Sequence, residues 1–278
     1  MNAFSEMVSD WLPPVARGFV KWCKDIITNS GFFYFGSRWP EKVEKGWSDD
    51  AVVESRRRLF LEWRESVGMK TSLGTVGYQA KATPVSIEIH NRYMSFSCVL
   101  GLVAHDKKKL KVMDWGGACG DYLLLAKKLF PSVVFEWHCA EVPSICRLGR
   151  EVNPDVRFYD NQAEWESQKF DFCHSSSALQ YVADWPRVLR TLAASSTEWL
   201  FITRIPIVYS VSSYVFTQRN PSYRTEYLGW ALNHRELVDE VVQGGFTLSQ
   251  EFLLGRWERI HGSPEQPVNM GFLFRKIK

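Results

Sequence analysis

The sequence contains no long apolar run, and this absence excludes a helical membrane span. Such a span needs roughly 18 uninterrupted apolar residues. The most apolar stretch of the 278 residues, 199–216, is interrupted by Arg204 and by several hydroxyl side chains. Residues 1–30 mix acidic and basic side chains around Pro13 and Pro14, so neither a signal peptide nor a basic membrane anchor is expected there.

The chain also has little net charge and no closely spaced cysteines. Its 34 lysines and arginines against 31 aspartates and glutamates leave a net charge of +3, which is too small for a protein whose main task is to bind nucleic acid. The six cysteines form no CxxC pair, and no closely spaced set of histidines, cysteines and carboxylates predicts a metal site. We therefore expect a cytoplasmic protein with free thiols and with neither a metal nor a nucleic-acid partner.

The hydrophobic pattern of the chain changes near residue 105. Before that point, residues 51–67 and 85–104 have the periodicity of amphipathic or buried helices. The aromatic-rich stretch 31–46 is interpreted as a loop packed on the core, with a substrate wall or a dimer contact as the alternatives. Residues 1–104 are thus predicted to form a helical, aromatic-rich region that serves as an acceptor wall or as a homodimer contact.

After residue 105, short apolar runs alternate with helical ones, which indicates βα units around a mostly parallel sheet. The predicted strands are 110–114, 133–139, 156–159, 170–174, 198–203, 246–254 and 268–274. The predicted helices are 120–130, 144–152, 178–193 and 233–243, with a short turn near Ala163. The last two strands can pair as a hairpin, so residues 105–278 are predicted to form an open α/β sheet with helices on both faces and an antiparallel end.

Residues 204–231 fit neither pattern. The stretch is long, it contains four tyrosines, and it is interrupted by Asn220 and Pro221. Loops of this length within compact domains are usually functional, and this one is too aromatic for disorder. We interpret it as a lid over the site, in which Arg204 and the aromatic side chains enclose a substrate.

A glycine-rich turn, residues 114–120, follows the first predicted strand and precedes a helix. In this context, bare peptide N–H groups at a helix N-terminus can bind a cofactor. A dinucleotide would require glycine where Trp115 stands, and Asp114 would repel its pyrophosphate. A carboxylate at the strand tip instead suits a cofactor with a cationic ammonium group, such as the methionine end of S-adenosylmethionine.

Polar residues also follow the next two predicted strands. Glu141 lies just past the second strand, where it can accept hydrogen bonds from the two hydroxyls of a ribose. Asp160 and Asn161 end the third strand, within reach of an adenine edge. The predicted cofactor-binding residues are Asp114, Trp115, Gly116, Gly117, Gly120, Glu141, Asp160, Asn161 and His174.

Histidines are the candidates for a proton acceptor. His174 ends the fourth predicted strand, next to the point where the strand order of an open α/β sheet reverses and ligands bind. An imidazole there could take a proton from an attacking hydroxyl. His234, which directly follows a helix cap, is the second predicted catalytic residue, and His90 is an alternative. The competing interpretation of His174 is a hydrogen-bonded packing residue.

Residues 109–278 resemble class I S-adenosylmethionine-dependent methyltransferases, whose first motif is an acidic residue followed by spaced glycines. Asp114, Gly116 and Gly120 match that motif. The resemblance implies a Rossmann-like, seven-stranded methyltransferase sheet with an antiparallel final hairpin. It also implies S-adenosyl-L-methionine as the cofactor and methyl transfer to an oxygen or nitrogen of a small-molecule or sugar acceptor.

Most of the chain further resembles a family of methyltransferases found beside bacterial polysaccharide and O-antigen genes. The matching segments are 33–36 with Trp39, 46–47, 114–117 and 174–181. Two residues depart from this family's pattern: Ala118 stands where many relatives have glycine, and Trp47 stands where tyrosine is more common. The resemblance supports methyl transfer in polysaccharide biosynthesis more than any particular acceptor.

Three other functions compete with this one. A nicotinamide-dependent oxidoreductase would use a similar sheet, and a non-catalytic methyltransferase-fold protein would use its aromatic N-terminal region as a binding surface. Ala118 is the residue that best supports the second alternative. An RNA methyltransferase is disfavoured by the small net charge of +3.

Overall fold

The computed structural model of the chain describes residues 31–41, 50–68, 87–220 and 225–277. Its strands are β1 Gly31–Gly36, β2 Lys109–Trp115, β3 Val134–Ala140, β4 Val156–Tyr159, β5 Phe170–Ser176, β6 Ser196–Val208, β7 Tyr214–Asn220, β8 Thr225–Asn233, β9 Phe246–Arg256, β10 Ile260–His261 and β11 Val268–Lys276. Its helices are α1 Asp50–Gly68, α2 Ile87–Ala104, α3 Asp121–Leu129, α4 Pro143–Val152, α5 Trp185–Ser195 and α6 His234–Gln243. Two 3₁₀ turns span Gln162–Glu164 and Leu179–Tyr181.

Seven strands form the central sheet in the order β4-β3-β2-β5-β6-β11-β9. The first five are parallel to one another, because each is joined to the next along the chain by a helical or turn crossover. β11 runs antiparallel to both β6 and β9. The predicted seven-stranded sheet with an antiparallel final hairpin is therefore confirmed.

Helices cover both faces of this sheet, as predicted. One apolar cluster includes Trp63 of α1, Phe96 of α2 and Leu123 of α3. The other cluster, on the opposite face, includes Leu189 of α5 and Leu237 of α6. Burial of such side chains is the main source of the fold's stability. No helix within the described ranges is long and apolar enough to cross a bilayer.

A second, smaller sheet corrects two predictions from the sequence. The stretch 31–46, predicted as a loop, begins with strand β1, and its residues 42–46 lie outside the described residues. The lid predicted at 204–231 consists of the end of β6 and the hairpin β7-β8. Aromatic and β-branched residues favour strands, so this segment forms a hairpin although its length had suggested a loop. The order of the second sheet is β10-β1-β7-β8, and β8 joins the central sheet where Leu232 pairs with Ile207 of β6.

Four of the cysteines pack as small apolar side chains. Cys119, Cys139, Cys146 and Cys173 are buried free thiols, as the sequence predicts. Burial raises the pKa of Cys146 to about 11, so its thiol stays protonated at neutral pH.

Candidate active site

A cavity of about 610 Å³ opens at the carboxyl ends of the parallel strands. Its wall contains residues that follow β2, β3, β4 and β5, together with side chains of α1 and α2. Ligands of open α/β sheets bind at this edge, and the volume is in the range of small-molecule and cofactor sites. The topology thus places a cavity at the edge of the sheet where the sequence predicted a ligand site.

The glycine turn lines the cavity with backbone atoms that no side chain of the turn covers. Gly116 has φ of 69°, and a Cβ atom there would lie 2.2 Å from the Cβ of Ala178. A Cβ atom on Gly117 would lie 2.4 Å from Oδ2 of Asp114. Neither position accepts a side chain. Gly120 lies behind the turn, where a Cβ atom would be 2.7 Å from Val156, so it serves packing and does not line the cavity.

Asp114 does not face the cavity, which corrects its predicted contact with an ammonium group. The side chain is fully buried. Its Oδ1 lies 2.9 Å from Nδ1 of His174, and its Oδ2 accepts a hydrogen bond from the indole of Trp137 at 3.3 Å. Both carboxylate oxygens are therefore used beneath the turn, and Trp115, Gly116 and Gly117 present the turn to a ligand.

Glu141 lies on the cavity wall at the end of β3. Its Oε1 accepts a hydrogen bond from the N–H of Ala118 at 3.1 Å, and its Oε2 accepts one from the N–H of Val142 at 2.9 Å. Burial raises the pKa of this carboxyl, and the Val142 N–H, the charge of Arg56 and the Ala118 N–H oppose that rise. Each oxygen keeps a further lone pair for a ligand hydroxyl.

Asp160 and Asn161 line the cavity next to Glu141, after β4. The Asn161 side chain accepts a hydrogen bond from the N–H of Ala163 at 3.1 Å, which fixes the turn that follows. Tyr159 and Trp165 contribute aromatic surface to the same part of the wall. The sequence did not identify Trp165, which follows the Gln162–Glu164 turn between β4 and β5 and carries no local motif.

Neither predicted catalytic histidine lines the cavity. His174 is fully buried below it, and its ring packs against Phe96, Tyr122, Phe172 and Phe201 with centroid separations of 4.7 to 5.9 Å. The bond to the Asp114 carboxylate holds the ring there. The packing interpretation of His174 is therefore the one that the geometry supports.

His234 lies at the start of α6, away from the cavity. Its Nε2 contacts Oε1 of Glu251 at 2.5 Å, and its ring stacks on Tyr209. The alternative candidate His90 is an exposed residue of α2. All six histidines fall within the described ranges, and the described wall of the cavity contains none of them.

The cavity wall also contains arginines and aromatic residues, most of which the sequence did not reveal. Arg56 of α1 and Arg92 of α2 reach it from the N-terminal region. The hydroxyls of Tyr122 and Ser176, both on the wall, lie 3.0 Å apart. Burial raises the pKa of Tyr181, also on this wall, to about 12. No local motif marks helix residues that reach the cavity only through tertiary packing.

Three wall residues have a left-handed backbone although they are not glycines. Ala118, Ser177 and Arg204 have φ of 51°, 56° and 59°. The described residues contain one other such case, Asp106, away from the cavity. This conformation costs on the order of 1 kcal/mol for a residue with a side chain, and such strain is concentrated at functional sites. Ala118, the departure from the family's glycine pattern, thus adopts the backbone conformation that favours glycine.

The predicted lid contributes one residue to the described wall, Arg204. Tyr209 is exposed, Tyr214 donates its hydroxyl to the carbonyl of Glu265 at 2.6 Å, and Tyr227 packs behind Tyr181. Of the seven aromatic residues of the described wall, Trp63, Tyr93 and Tyr122 come from α1, α2 and α3, and none comes from the predicted lid.

The glycine turn and the carboxylate after β3 lie together at the edge of a parallel, Rossmann-like sheet. Proteins of this class bind a nucleoside-containing cofactor at that edge. A family model described as a methyltransferase domain matches residues 89–235, more than half of the 278 residues. The chain therefore belongs to this family and is a methyltransferase whose cofactor is S-adenosylmethionine. Among curated proteins, no sequence matches the chain.

Several solved structures are similar to the chain at low identity. Magnesium protoporphyrin IX methyltransferase from Synechocystis PCC 6803 is 13% identical, over 78% of this chain and 94% of that one, with a TM-score of 0.45. An S-adenosylmethionine-dependent methyltransferase from Mesorhizobium loti is 13% identical, over 69% and 100%, with a TM-score of 0.47. The aminopentose methyltransferase CalS10 from Micromonospora echinaspora is 11% identical, over 68% and 91%, with a TM-score of 0.43. Similarities this distant carry no argument about the acceptor.

Proposed function

We propose that the protein transfers a methyl group from S-adenosylmethionine to an oxygen or nitrogen atom of a small-molecule or glycosyl acceptor. The position of Glu141 is the observation that carries this proposal. Its carboxylate is fixed by two backbone N–H groups at the cavity wall, one strand away from the bare glycine turn. A fixed carboxylate beside an open backbone suits a ribose whose neighbouring group lies against the turn.

The residues of the wall fit the parts of this cofactor. Glu141 would hold the two ribose hydroxyls, and Asp160 with Asn161 would lie at the adenine edge. The backbone of Gly116 and Gly117 would contact the methionine part, with Asp114 supporting the turn from below. When bound, the cofactor supplies an activated methyl group on a sulfonium, so the protein's task is to align the acceptor and to exclude water.

The aromatic residues and the N-terminal helices support an acceptor wall. Trp63 of α1 stacks on Tyr93 of α2 with ring centroids 5.0 Å apart, and both line the cavity. Flat aromatic faces suit a sugar or another ring. Together with the resemblance carried by segments 33–36 and 174–181, this wall supports the proposal of a glycosyl acceptor in polysaccharide biosynthesis.

Binding of S-adenosylhomocysteine by isothermal titration calorimetry tests the proposal. Glu141→Gln is expected to weaken binding by about 10-fold or more, because an amide replaces one acceptor oxygen of a charged hydrogen-bond pair with a donor. Glu164→Gln is the matched control, since Glu164 is an exposed residue near the cavity that does not line it. Binding of NADH with none of S-adenosylhomocysteine would overturn the assignment.

A further inference from the structure

Two hydroxyl groups form a pair on the wall of the cavity. The hydroxyl oxygens of Tyr122, at the start of α3, and Ser176, the last residue of β5, lie 3.0 Å apart. Within the part of the chain that the structure describes, neither hydroxyl makes another hydrogen bond. Each hydroxyl has one hydrogen and two lone pairs, and only one of the two hydrogens is used between the oxygens. The pair therefore keeps a donor and several lone pairs for a ligand.

Packing fixes the tyrosine of this pair. The centroid of the Tyr122 ring lies 4.5 Å from that of Phe96 and 4.7 Å from that of His174. Phe96 and His174 are both fully buried, and ring contacts of this kind are favourable. The Tyr122 hydroxyl is thus held at the wall by the core of the sheet, as a preorganised site requires.

The strand order places the pair beside the glycine turn. Ser176 ends β5, and β5 is the neighbour of β2, which leads into the turn. A Cβ atom on Gly116 would lie 2.2 Å from the Cβ of Ala178, so the chain that leaves β5 lies directly against the turn. Glu141 lies on the other side of β2, at the end of β3. The hydroxyl pair and Glu141 therefore flank the glycine turn.

The inference drawn from this position rests on the proposed function. That function assigns Glu141 to the ribose and the glycine turn to the methionine part of the cofactor. The wall across the turn from Glu141 is then left for the acceptor, and this is where Tyr122 and Ser176 lie. Methyl transfer needs the acceptor atom held in line beside the cofactor, so a hydrogen-bonding site at this wall is well placed to hold it.

The aromatic wall of the N-terminal helices lies next to the pair. The indole of Trp63 donates a hydrogen bond to the carbonyl of Asp121, the residue before Tyr122, at 2.9 Å. Tyr93 stacks on Trp63 and lies one helical turn before Phe96 on α2, so Tyr93 and Phe96 share a helix face. A ring packed on this wall can therefore present an attached group to the pair.

The hydrogen-bonding capacity of the pair selects the chemistry of that group. A hydroxyl can donate its hydrogen to the pair, accept the hydrogen that the pair has left, and still keep a lone pair for the methyl group. An ammonium group has no lone pair, and a carboxylate has no hydrogen to donate. An alcohol thus satisfies both sides of the contact, and a buried polar group left without a partner is costly.

We propose that the hydroxyls of Tyr122 and Ser176 bind the acceptor's nucleophilic group, and that this group is a hydroxyl carried by a ring. The protein is then an O-methyltransferase. The hydrogen bond from the acceptor to the pair orients the acceptor oxygen. It is also the path by which the acceptor's proton leaves for water on methylation.

Ligand-observed NMR titration of the complex with S-adenosylhomocysteine tests the hydroxyl site. The probes are benzyl alcohol, benzylamine and toluene, which share a ring and differ in the attached group. The measured quantity is the affinity for benzyl alcohol divided by that for toluene. This ratio is expected to fall by about 10-fold or more in the double variant Tyr122→Phe/Ser176→Ala, because the variant leaves the hydroxyl of the probe without partners.

Single variants and controls assign the effect to the pair. Tyr122→Phe and Ser176→Ala each keep one hydroxyl, so each is expected to lose part of the preference for benzyl alcohol. Unchanged affinity for S-adenosylhomocysteine shows that each variant is folded. Tyr209→Phe and Ser210→Ala are the matched controls, since both residues are exposed and lie outside the described wall. Both controls are expected to keep the wild-type ratio.

Equal ratios in the wild type and the double variant would overturn the proposal, as would a wild type that does not bind benzyl alcohol. A preference for benzylamine that depends on the pair would assign methylation to nitrogen and reject the hydroxyl acceptor. Loss of affinity for S-adenosylhomocysteine in the folded double variant would assign the pair to the cofactor instead. A wild type that does not bind S-adenosylhomocysteine but shows the pair-dependent ratio would contradict the proposed function and leave the hydroxyl site standing.

Discussion

Asp114 and His174 face each other across the neighbouring strands β2 and β5, and the structure seals both from solvent. The sequence motif suggested that the carboxylate meets a ligand and that the imidazole moves a proton. The contacts show a different use, in which the Asp114 carboxylate joins the His174 and Trp137 rings beneath Gly117. The acidic residue of the motif thus supports the shape of the turn.

This arrangement predicts a stability effect at Asp114. Asp114→Ala is expected to lower the free energy of unfolding by about 3 kcal/mol, because it removes the buried partner of two ring N–H groups. Asp114→Asn keeps one acceptor oxygen and is expected to cost about 1 kcal/mol. Urea denaturation followed by tryptophan fluorescence measures both values. An unfolding midpoint for Asp114→Ala equal to that of the wild type would show that the pair contributes nothing.

At the scale of the elements, the regular units were predictable because their signals are local. The strands at 156–159 and 268–274 and the helix at 233–243 agree with the structure to within a few residues. Asn233 illustrates why: its side chain accepts hydrogen bonds from the N–H groups of Arg235 and Glu236, which is the cap that the sequence pattern indicated.

The second sheet and the arginines of the cavity wall could not be predicted in this way. β1 pairs with β7, which is more than 180 residues away along the chain for the pair of Phe33 and Thr217. Arg56 and Arg92 reach the cavity only because α1 and α2 pack over the carboxyl ends of the strands. Contacts between distant parts of the chain leave no periodic signal, so these features depend on the assembled fold.

Two helical glycines give a matched prediction about how the helices pack. A Cβ atom on Gly149 of α4 would lie 2.3 Å from the buried ring of Phe158, whereas one on Gly101 of α2 would lie 3.7 Å from Phe130. Gly149→Ala is expected to destabilise by about 1 to 3 kcal/mol through overpacking. Gly101→Ala is expected to stabilise by about 0.5 to 1 kcal/mol, because alanine is the better helix former.

Thermal unfolding of both glycine variants checks the pair, and affinity for S-adenosylhomocysteine gives a second measurement. α4 begins at Pro143 on the cavity wall, so displacement of α4 by Gly149→Ala is expected to weaken cofactor binding as well. Gly101 lies outside the described wall, and its variant should bind normally. A stabilised Gly149→Ala variant would mean that α4 can shift without cost.

For the molecule as a whole, acid stability depends on a buried histidine in the central sheet. His138 of β3 is almost fully buried. Its Nδ1 lies 2.8 Å from the hydroxyl of Tyr159, and its Nε2 lies 3.0 Å from Glu136. Burial lowers the pKa of His138 below 6.5, and the charges of Lys111 and Arg157 act in the same direction, against the Glu136 hydrogen bond.

The lowered pKa of His138 determines the sign of the pH dependence. Between that pKa and about 6.5, the unfolded chain binds a proton that the folded chain does not bind, so stability is full above pH 6.5 and falls as the pH drops below it. One such proton gives a slope of at most about 1.4 kcal/mol per pH unit. A separate loss follows between pH 4.5 and about 2, because Lys109 and His138 lower the pKa of Glu136 to about 2.

Urea denaturation between pH 5 and 7.5 tests the histidine contribution, with His138→Gln as the informative variant. Glutamine has no proton to gain in this range, and its amide can still reach Tyr159 or Glu136. We therefore expect the variant to be less stable than the wild type at pH 7.5, with a shallower slope toward pH 5. His105→Gln is the matched control, because the side chain of His105 is exposed. Equal slopes in the wild type and His138→Gln would show that another group takes up the proton.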